Sequence, residues 1–328
     1  MLNCSLLDHE AAQPALCEPA SRVFAADLAR ALASRPRAIS PKYFYDARGS
    51  QLFDRICELP EYYPTRTEVA ILRAHAGEIA AQMGPRAEIV EFGAGSCVKI
   101  GLLLDAMDQP ARYLPIDISG EHLAASAAQL RAQYPALDVQ PVVADYTQRL
   151  LLPARLPGAG QRVGFFPGST IGNFTPAEAL HFLEVTGQVL RGGALLLGAD
   201  LVKDPDVLHA AYNDAQGVTA AFNLNLLARA NRELGTDFVL EQFAHGAFYN
   251  SPLQRVEMHL VSRCRQQLTF AGEAYEFEEG ETLHTENSYK FTIDGLRALA
   301  MRAGFRAGPV WTDPQRLFSL HWLQAPSP

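Results

Sequence analysis

Glycines, acids and aromatics stand where several short apolar runs end. Ile89-Val90-Glu91-Phe92 runs directly into Gly93-Ala94-Gly95-Ser96. The run Tyr113 to Ile118 carries Asp117, 24 residues beyond Gly93, and Val139 to Ala144 is followed by Asp145-Tyr146. Glycines let a backbone approach a ligand closely. Asp117 is placed to accept hydrogen bonds from ribose hydroxyls. Asp145 beside Tyr146 offers an acceptor next to an aromatic face, a pairing that suits adenine. A dinucleotide fingerprint would need a third glycine where Val98 stands, so a pyrophosphate cradle is poorly supported. S-adenosylmethionine, with a ribose and an adenine but no phosphate, fits better. The competing reading is a tight turn with ordinary surface acids.

A second cluster follows Val163 to Phe166, in Gly168-Ser169-Thr170-Ile171-Gly172-Asn173-Phe174. Asn173 can donate two hydrogen bonds to a substrate carboxylate or amide. It can equally be a turn residue that bonds its own backbone.

The elements that must position these residues alternate. Short strands at 89–92, 113–118, 139–144, 163–166 and 194–199 are separated by helical stretches, which means a parallel sheet covered on both faces. Thr65-Arg66-Thr67-Glu68 and Thr175-Pro176-Ala177-Glu178 read as capping boxes at helix starts. Further helices are expected over 21–38 and 205–234. From 255 the pattern changes to apolar–polar alternation, over 255–264, 267–270, 274–277 and 282–291, as in antiparallel strands. A helix over 295–303 and strands at 309–311 and 317–323 close the chain. The fold class is α/β, a doubly wound domain with an inserted α+β segment of about 85 residues.

Length and composition bound the function. The chain has 328 residues, 48% of them hydrophobic and 20% charged, enough for a sizeable core. A net charge of −8 argues against nucleic-acid partners and against docking on an anionic membrane. No window is apolar enough to span a bilayer. Residues 1–19 carry Asp8 and Glu10 and no Lys or Arg, unlike a signal peptide; they are expected to fray or pack loosely. Cys4, Cys17, Cys57, Cys97 and Cys264 are scattered, without metal spacing, which points to a reduced cytoplasmic setting. No metal is expected.

Longer strings then carry a family pattern. Pro41-Lys42-Tyr43-Phe44-Tyr45-Asp46, Leu59 to Glu68, Gly168 to Asn173, Leu201 to Asp204, Ala211 to Asp214, Gly217 to Asn223 and Thr285 to Phe291 together resemble the histidine Nα-methyltransferases of ergothioneine biosynthesis, which form the betaine hercynine. The resemblance runs from about residue 21 to the end. It implies a Rossmann-like class I methyltransferase domain (66–200 and 286–328), an inserted α+β substrate-binding domain (201–285), and an N-terminal segment (1–65) that contributes to the pocket. It implies S-adenosylmethionine as cofactor, held by Gly93, Gly95, Lys99, Asp117, Asp145 and Tyr146. Asn173 and Tyr212 would hold the substrate carboxylate, and Glu286 and Ser288 the imidazole. Tyr45 and Tyr62 would line the amine and ring, with Met258 nearby. Tyr45 and Glu286 are the candidate catalytic residues. The expected partner is a small-molecule amino-acid substrate, and the expected state a monomer.

Plainer readings stand beside these. Tyr45 and Tyr62 can be core aromatics with paired hydroxyls. Met258 reads as core, Cys97 as a packed thiol, His259 and His284 as structural. Asn287 stands where many members carry a small or branched apolar residue. Alternation puts it on the face opposite Glu286 and Ser288, so the pocket need not change. Other readings of the whole are a methyltransferase for another aromatic amino acid, an NAD-dependent oxidoreductase, which the missing glycine disfavours, and a non-catalytic binding protein.

Overall fold

The computed structural model describes residues 20–95, 97–148 and 150–327. The expectations for residues 1–19, including Cys4 and Cys17, and for Ser96 of the glycine loop fall outside these residues.

The alternating apolar runs build one large sheet. Its order is Arg306–Thr312, Phe318–Gln324, Ala194–Asp200, Arg162–Phe166, Glu88–Phe92, Arg112–Asp117 and Asp138–Val139, with Val142–Val143 also paired to Arg112–Asp117. Every pairing is parallel except the two made by Phe318–Gln324. The central strands are buried along their whole length, because helices cover both faces. On one face Ile89, Val163 and Leu196 pack with Leu72 and Leu103; on the other Val90, Leu195 and Leu197 pack with Leu183 and Leu296. Strand order reverses between Glu88–Phe92 and Arg162–Phe166. In such sheets the crevice outside the carboxyl ends at that reversal is where ligands bind.

A second sheet has the order Arg37–Ala38, Thr282–Tyr289, Arg255–Ser262, Phe243–Asn250. The N-terminal segment belongs to this lobe. Phe24, Leu28, Phe44, Leu52 and Ile56 share one core with Phe222, Leu226, Met258 and Leu283. A parallel bridge between Leu201 and Phe291 marks where the chain passes between the lobes.

Several local expectations are corrected. The helix expected to start with a capping box at Thr65 spans Tyr63–Met83, with Pro64 in its first turn. Glu68 turns inward instead, is fully buried, and pairs with Lys99 at 2.6 Å. The box at Thr175–Glu178 is present. The helix over 21–38 stops at Ala33. The helix over 205–234 is two helices, Pro205–Tyr212 and Val218–Leu234, divided at Gly217, whose φ of 70° suits glycine. The strand over 139–144 is two short pieces, since Pro141 between them has no N–H to give the ladder. Helix Ala47–Glu58, capped by Asp46 accepting from the Gly49 amide at 2.6 Å, and strand Phe243–Asn250 were not expected.

Candidate active site

A cavity of about 1290 Å³ opens at the strand reversal and runs between the lobes. It is larger than one drug-sized ligand needs, so it has room for two small ligands. Its cofactor-side wall includes Gly93, Gly95, Lys99, Asp117, Asp145 and Tyr146; its other wall includes Tyr45, Phe53, Tyr62, Asn173 and Glu286. A small chamber of about 20 Å³ shares Phe53, Tyr62 and Glu286 with it and adds Tyr212, Phe222 and Met258.

On the cofactor side, Gly93 has φ of 75°, and a Cβ there would sit 3.6 Å from the Tyr146 ring. A Cβ at Gly95 would meet no described atom within 4 Å. Gly95 also borders the cavity, so packing against the rest of the protein does not require a glycine there. Asp117 accepts from the Ser119 amide at 2.8 Å through one oxygen, which leaves the other for a ribose diol. Burial, partly offset by that amide, raises its carboxyl above the ordinary range. Asp145 is more committed: Thr147 holds one oxygen, and Lys42 lies 3.6 Å from the other. These residues fit an adenosyl cofactor. Burial opposes the charge on Lys99, but Glu68 outweighs this and holds its pKa above the ordinary value. Glu68 also accepts from the Gly168 amide at 2.9 Å, tying the loops after two neighbouring strands. Lys99 therefore borders the cavity with its charge already paired. Glu91, missed from sequence, also lines the cavity. Burial pushes its carboxyl up to about 8, against the pull of its hydrogen bond from Tyr113.

The substrate-side residues converge from both lobes. Tyr45 and Tyr62 meet Phe53 edge-on, with ring centroids 5.7 and 6.3 Å away. Among the described residues neither hydroxyl has a hydrogen-bond partner, so the reading of core aromatics with paired hydroxyls fails. Burial holds both phenols well above their ordinary pKa, and both remain neutral at pH 7. Asn173 ends the short turn Thr170–Asn173, and its amide bonds no described residue, which disfavours a purely turn-forming role. Met258 is buried yet lines the chamber. Ser288 is buried behind the wall, its hydroxyl 2.7 Å from that of Tyr212.

Glu286 faces both spaces. Burial raises its carboxyl to about 7, and the Lys290 charge moderates the rise. Asn287 corrects an expectation. It lies opposite Glu257 while Glu286 lies opposite Met258, so alternation holds, yet both residues border the cavity. His284 borders it too, stacked on His259 at 4.8 Å. Glu257, His259 and His284 bring possible ligand atoms within 4.8 Å of one another, a grouping the spacing did not suggest. Arg255 and Asn250 already occupy one oxygen of Glu257, and the imidazoles stack rather than converge. Phe53 was missed because its helix was. Lys290 stood inside a family string without a role.

The strand order, the antiparallel strand near one edge and the glycine- and acid-lined wall at the strand reversal are those of a Rossmann-like S-adenosylmethionine-dependent methyltransferase. A family model described as histidine-specific methyltransferase, SAM-dependent, matches residues 24–325. A histidine N-alpha-methyltransferase of Mycolicibacterium smegmatis is 43% identical over 309 residues, 92% of this chain and 95% of that one. One from Mycobacterium tuberculosis is 40% identical over 90% of this chain and 92% of its own. A more distant relative, 4-dimethylallyltryptophan N-methyltransferase of Claviceps purpurea, is 23% identical over 87% of this chain and 90% of its own. The chain belongs to the histidine-specific, S-adenosylmethionine-dependent methyltransferase family.

Proposed function

We propose that this enzyme methylates the α-amine of L-histidine and carries it to the trimethylated betaine hercynine. The observation that carries this reading is Glu286: a half-buried carboxylate with no described hydrogen-bond partner, at the junction of the large cavity and a chamber lined mostly by aromatic and aliphatic side chains, with Thr219 beside them. A carboxyl titrating near neutrality suits an imidazole, which itself titrates near 6.5. A purely apolar ring would leave it unsatisfied, at about 1–3 kcal/mol.

Asn173 and Tyr212 hold the carboxylate in this reading, Glu286 and Ser288 face the imidazole, and Tyr45 and Tyr62 flank the amine. S-adenosylmethionine, when bound, supplies a methyl group on a sulfonium that is open to in-line displacement by an amine. The chain's own contribution is alignment and proton management. The carboxylate clamp sets the amine's position. The amine must shed a proton before it can attack; the neutral phenols of Tyr45 and Tyr62 cannot take it as phenolates at pH 7, so it passes to water in the cavity. Their faces favour the growing cationic head by about 0.5–2 kcal/mol, an attraction that persists through successive methylations. The same reading has a monomer acting on free histidine in the cytoplasm. The free thiols of Cys57, Cys97 and Cys264 support a reducing compartment, and no described helix is long and apolar enough to cross a membrane.

Mass spectrometry of reactions with histidine, tyrosine and tryptophan tests the proposal. Histidine should accumulate one, two and finally three methyl groups. Preference for tyrosine or tryptophan would refute it.

A further inference from the structure

Lys290 lies just beyond strand Thr282–Tyr289 and is 3% exposed. An ammonium has three donors and no acceptor. All three are used here: the Asp200 carboxylate at 2.8 Å, the Ser288 hydroxyl at 2.8 Å and the Tyr212 hydroxyl at 3.0 Å. Asp200 closes a strand of the large sheet and is also held by Lys203 at 2.5 Å and by the Tyr63 hydroxyl at 2.7 Å. The ammonium thus links the sheet of one lobe to the pocket wall of the other.

Donor counting restricts what this wall can offer. Both hydroxyl oxygens accept from Lys290. Their mutual contact of 2.7 Å consumes one O–H. The pair therefore keeps a single O–H for a ligand. Tyr212, and not Ser288, lines the small chamber beside Glu286. Here Tyr212 donates to Ser288; a carboxylate in the chamber takes that hydrogen once the bond turns over and Ser288 donates to Tyr212 instead. Ser288 is then left with one lone pair and no hydrogen, so a substrate group that meets it must bring an N–H.

We propose that Lys290 is a positioning residue that, anchored on Asp200 of the other lobe, sets the Tyr212–Ser288 pair so that Tyr212 donates to the substrate carboxylate. This rests on the histidine reading above.

The test is Lys290→Met, assayed with histidine and with histamine, which lacks the carboxylate, alongside calorimetric binding of S-adenosylhomocysteine. Losing the orienting charged hydrogen bonds should raise KM for histidine roughly tenfold to a hundredfold. The histidine-to-histamine ratio of kcat/KM should fall in proportion. Cofactor-product affinity should stay within about twofold, since the side-chain partners of Lys290 among the described residues are Asp200, Tyr212 and Ser288 and none of them is on the cofactor wall. An unchanged ratio, or equal losses for both substrates together with lost cofactor-product binding, would overturn the proposal. If Lys290→Met folds poorly, a cycle of Tyr212→Phe and Ser288→Ala decides. The double variant should lower the histidine-to-histamine ratio no further than Tyr212→Phe alone, because any imidazole contact of Ser288 is common to both substrates and its effect on the carboxylate passes through the Tyr212 hydroxyl; ratio losses that multiply overturn it. A parent enzyme inactive on histidine would instead sink the functional reading.

Discussion

Glu286→Gln should make the protein more stable at alkaline pH while damaging its activity. The native carboxyl titrates at about 7 against an ordinary value of 4.5. Between those values the native state holds a proton that the unfolded chain has released, so stability falls as pH rises through that window. The full distance is worth about 3 kcal/mol. One side of the carboxylate faces the cavity, where solvent screens it, and about 2 kcal/mol is the better expectation. Glutamine has the same shape and no charge, so its advantage should be small at pH 5 and near its full value at pH 8. Lys290 is not orphaned by the change, since Asp200 remains beside it at 2.8 Å. The assay is urea unfolding of the ligand-free protein and the variant at both pH values. A stability difference that does not change between pH 5 and pH 8 would refute the claim that burial without a partner raises this carboxyl. Activity should move the other way, with a lower kcat/KM for histidine and a weaker preference for it over phenylalanine.

Asp117→Ala should weaken S-adenosylhomocysteine by about 1–3 kcal/mol, the range for hydrogen bonds to a charged group; calorimetry checks this, and unchanged affinity would remove Asp117 from the ribose site. Gly95→Val should leave the melting temperature within about a degree, because no described atom lies within 4 Å of a Cβ there, yet should abolish cofactor-product binding by filling the cavity. A large drop in melting temperature would mean that this glycine is structural. Histamine should be a very poor substrate for the parent enzyme, since a wall built to pair with a carboxylate is left unsatisfied without one. Turnover comparable to that of histidine would remove Asn173 and Tyr212 from that role.

Local chemistry decides how much of this was legible beforehand. The buried parallel strands announce themselves as apolar runs, because every residue in them faces a helix layer, and their ends carry Gly93, Asp117, Asp145 and Asn173. Those four could be located along the chain without any coordinates. The capping box at Thr175 was readable for the same reason: its partners are three residues apart. The identical spacing at Thr65–Glu68 misled, because Lys99 and the Gly168 amide compete for the Glu68 carboxylate from the far side of the crevice. Nothing local records that competition.

Local patterns along the chain were enough for the doubly wound sheet, for the strand ends that border the large cavity and, through the long family strings, for Tyr45, Tyr62, Asn173 and Glu286 on its other wall. The three-dimensional fold was needed to bring the N-terminal helices into the second lobe's core, to leave Glu286 without a described partner while Lys99 is paired, and to set Asn287 at the cavity. It also decided that one ammonium from Lys290 reaches Asp200, Tyr212 and Ser288 together. Asp200 and Tyr212 lie 90 and 78 residues away from it. Periodicity and spacing report what neighbours along the chain can do, whereas burial, charge pairing and donor counting depend on which distant groups the fold brings within 3 Å.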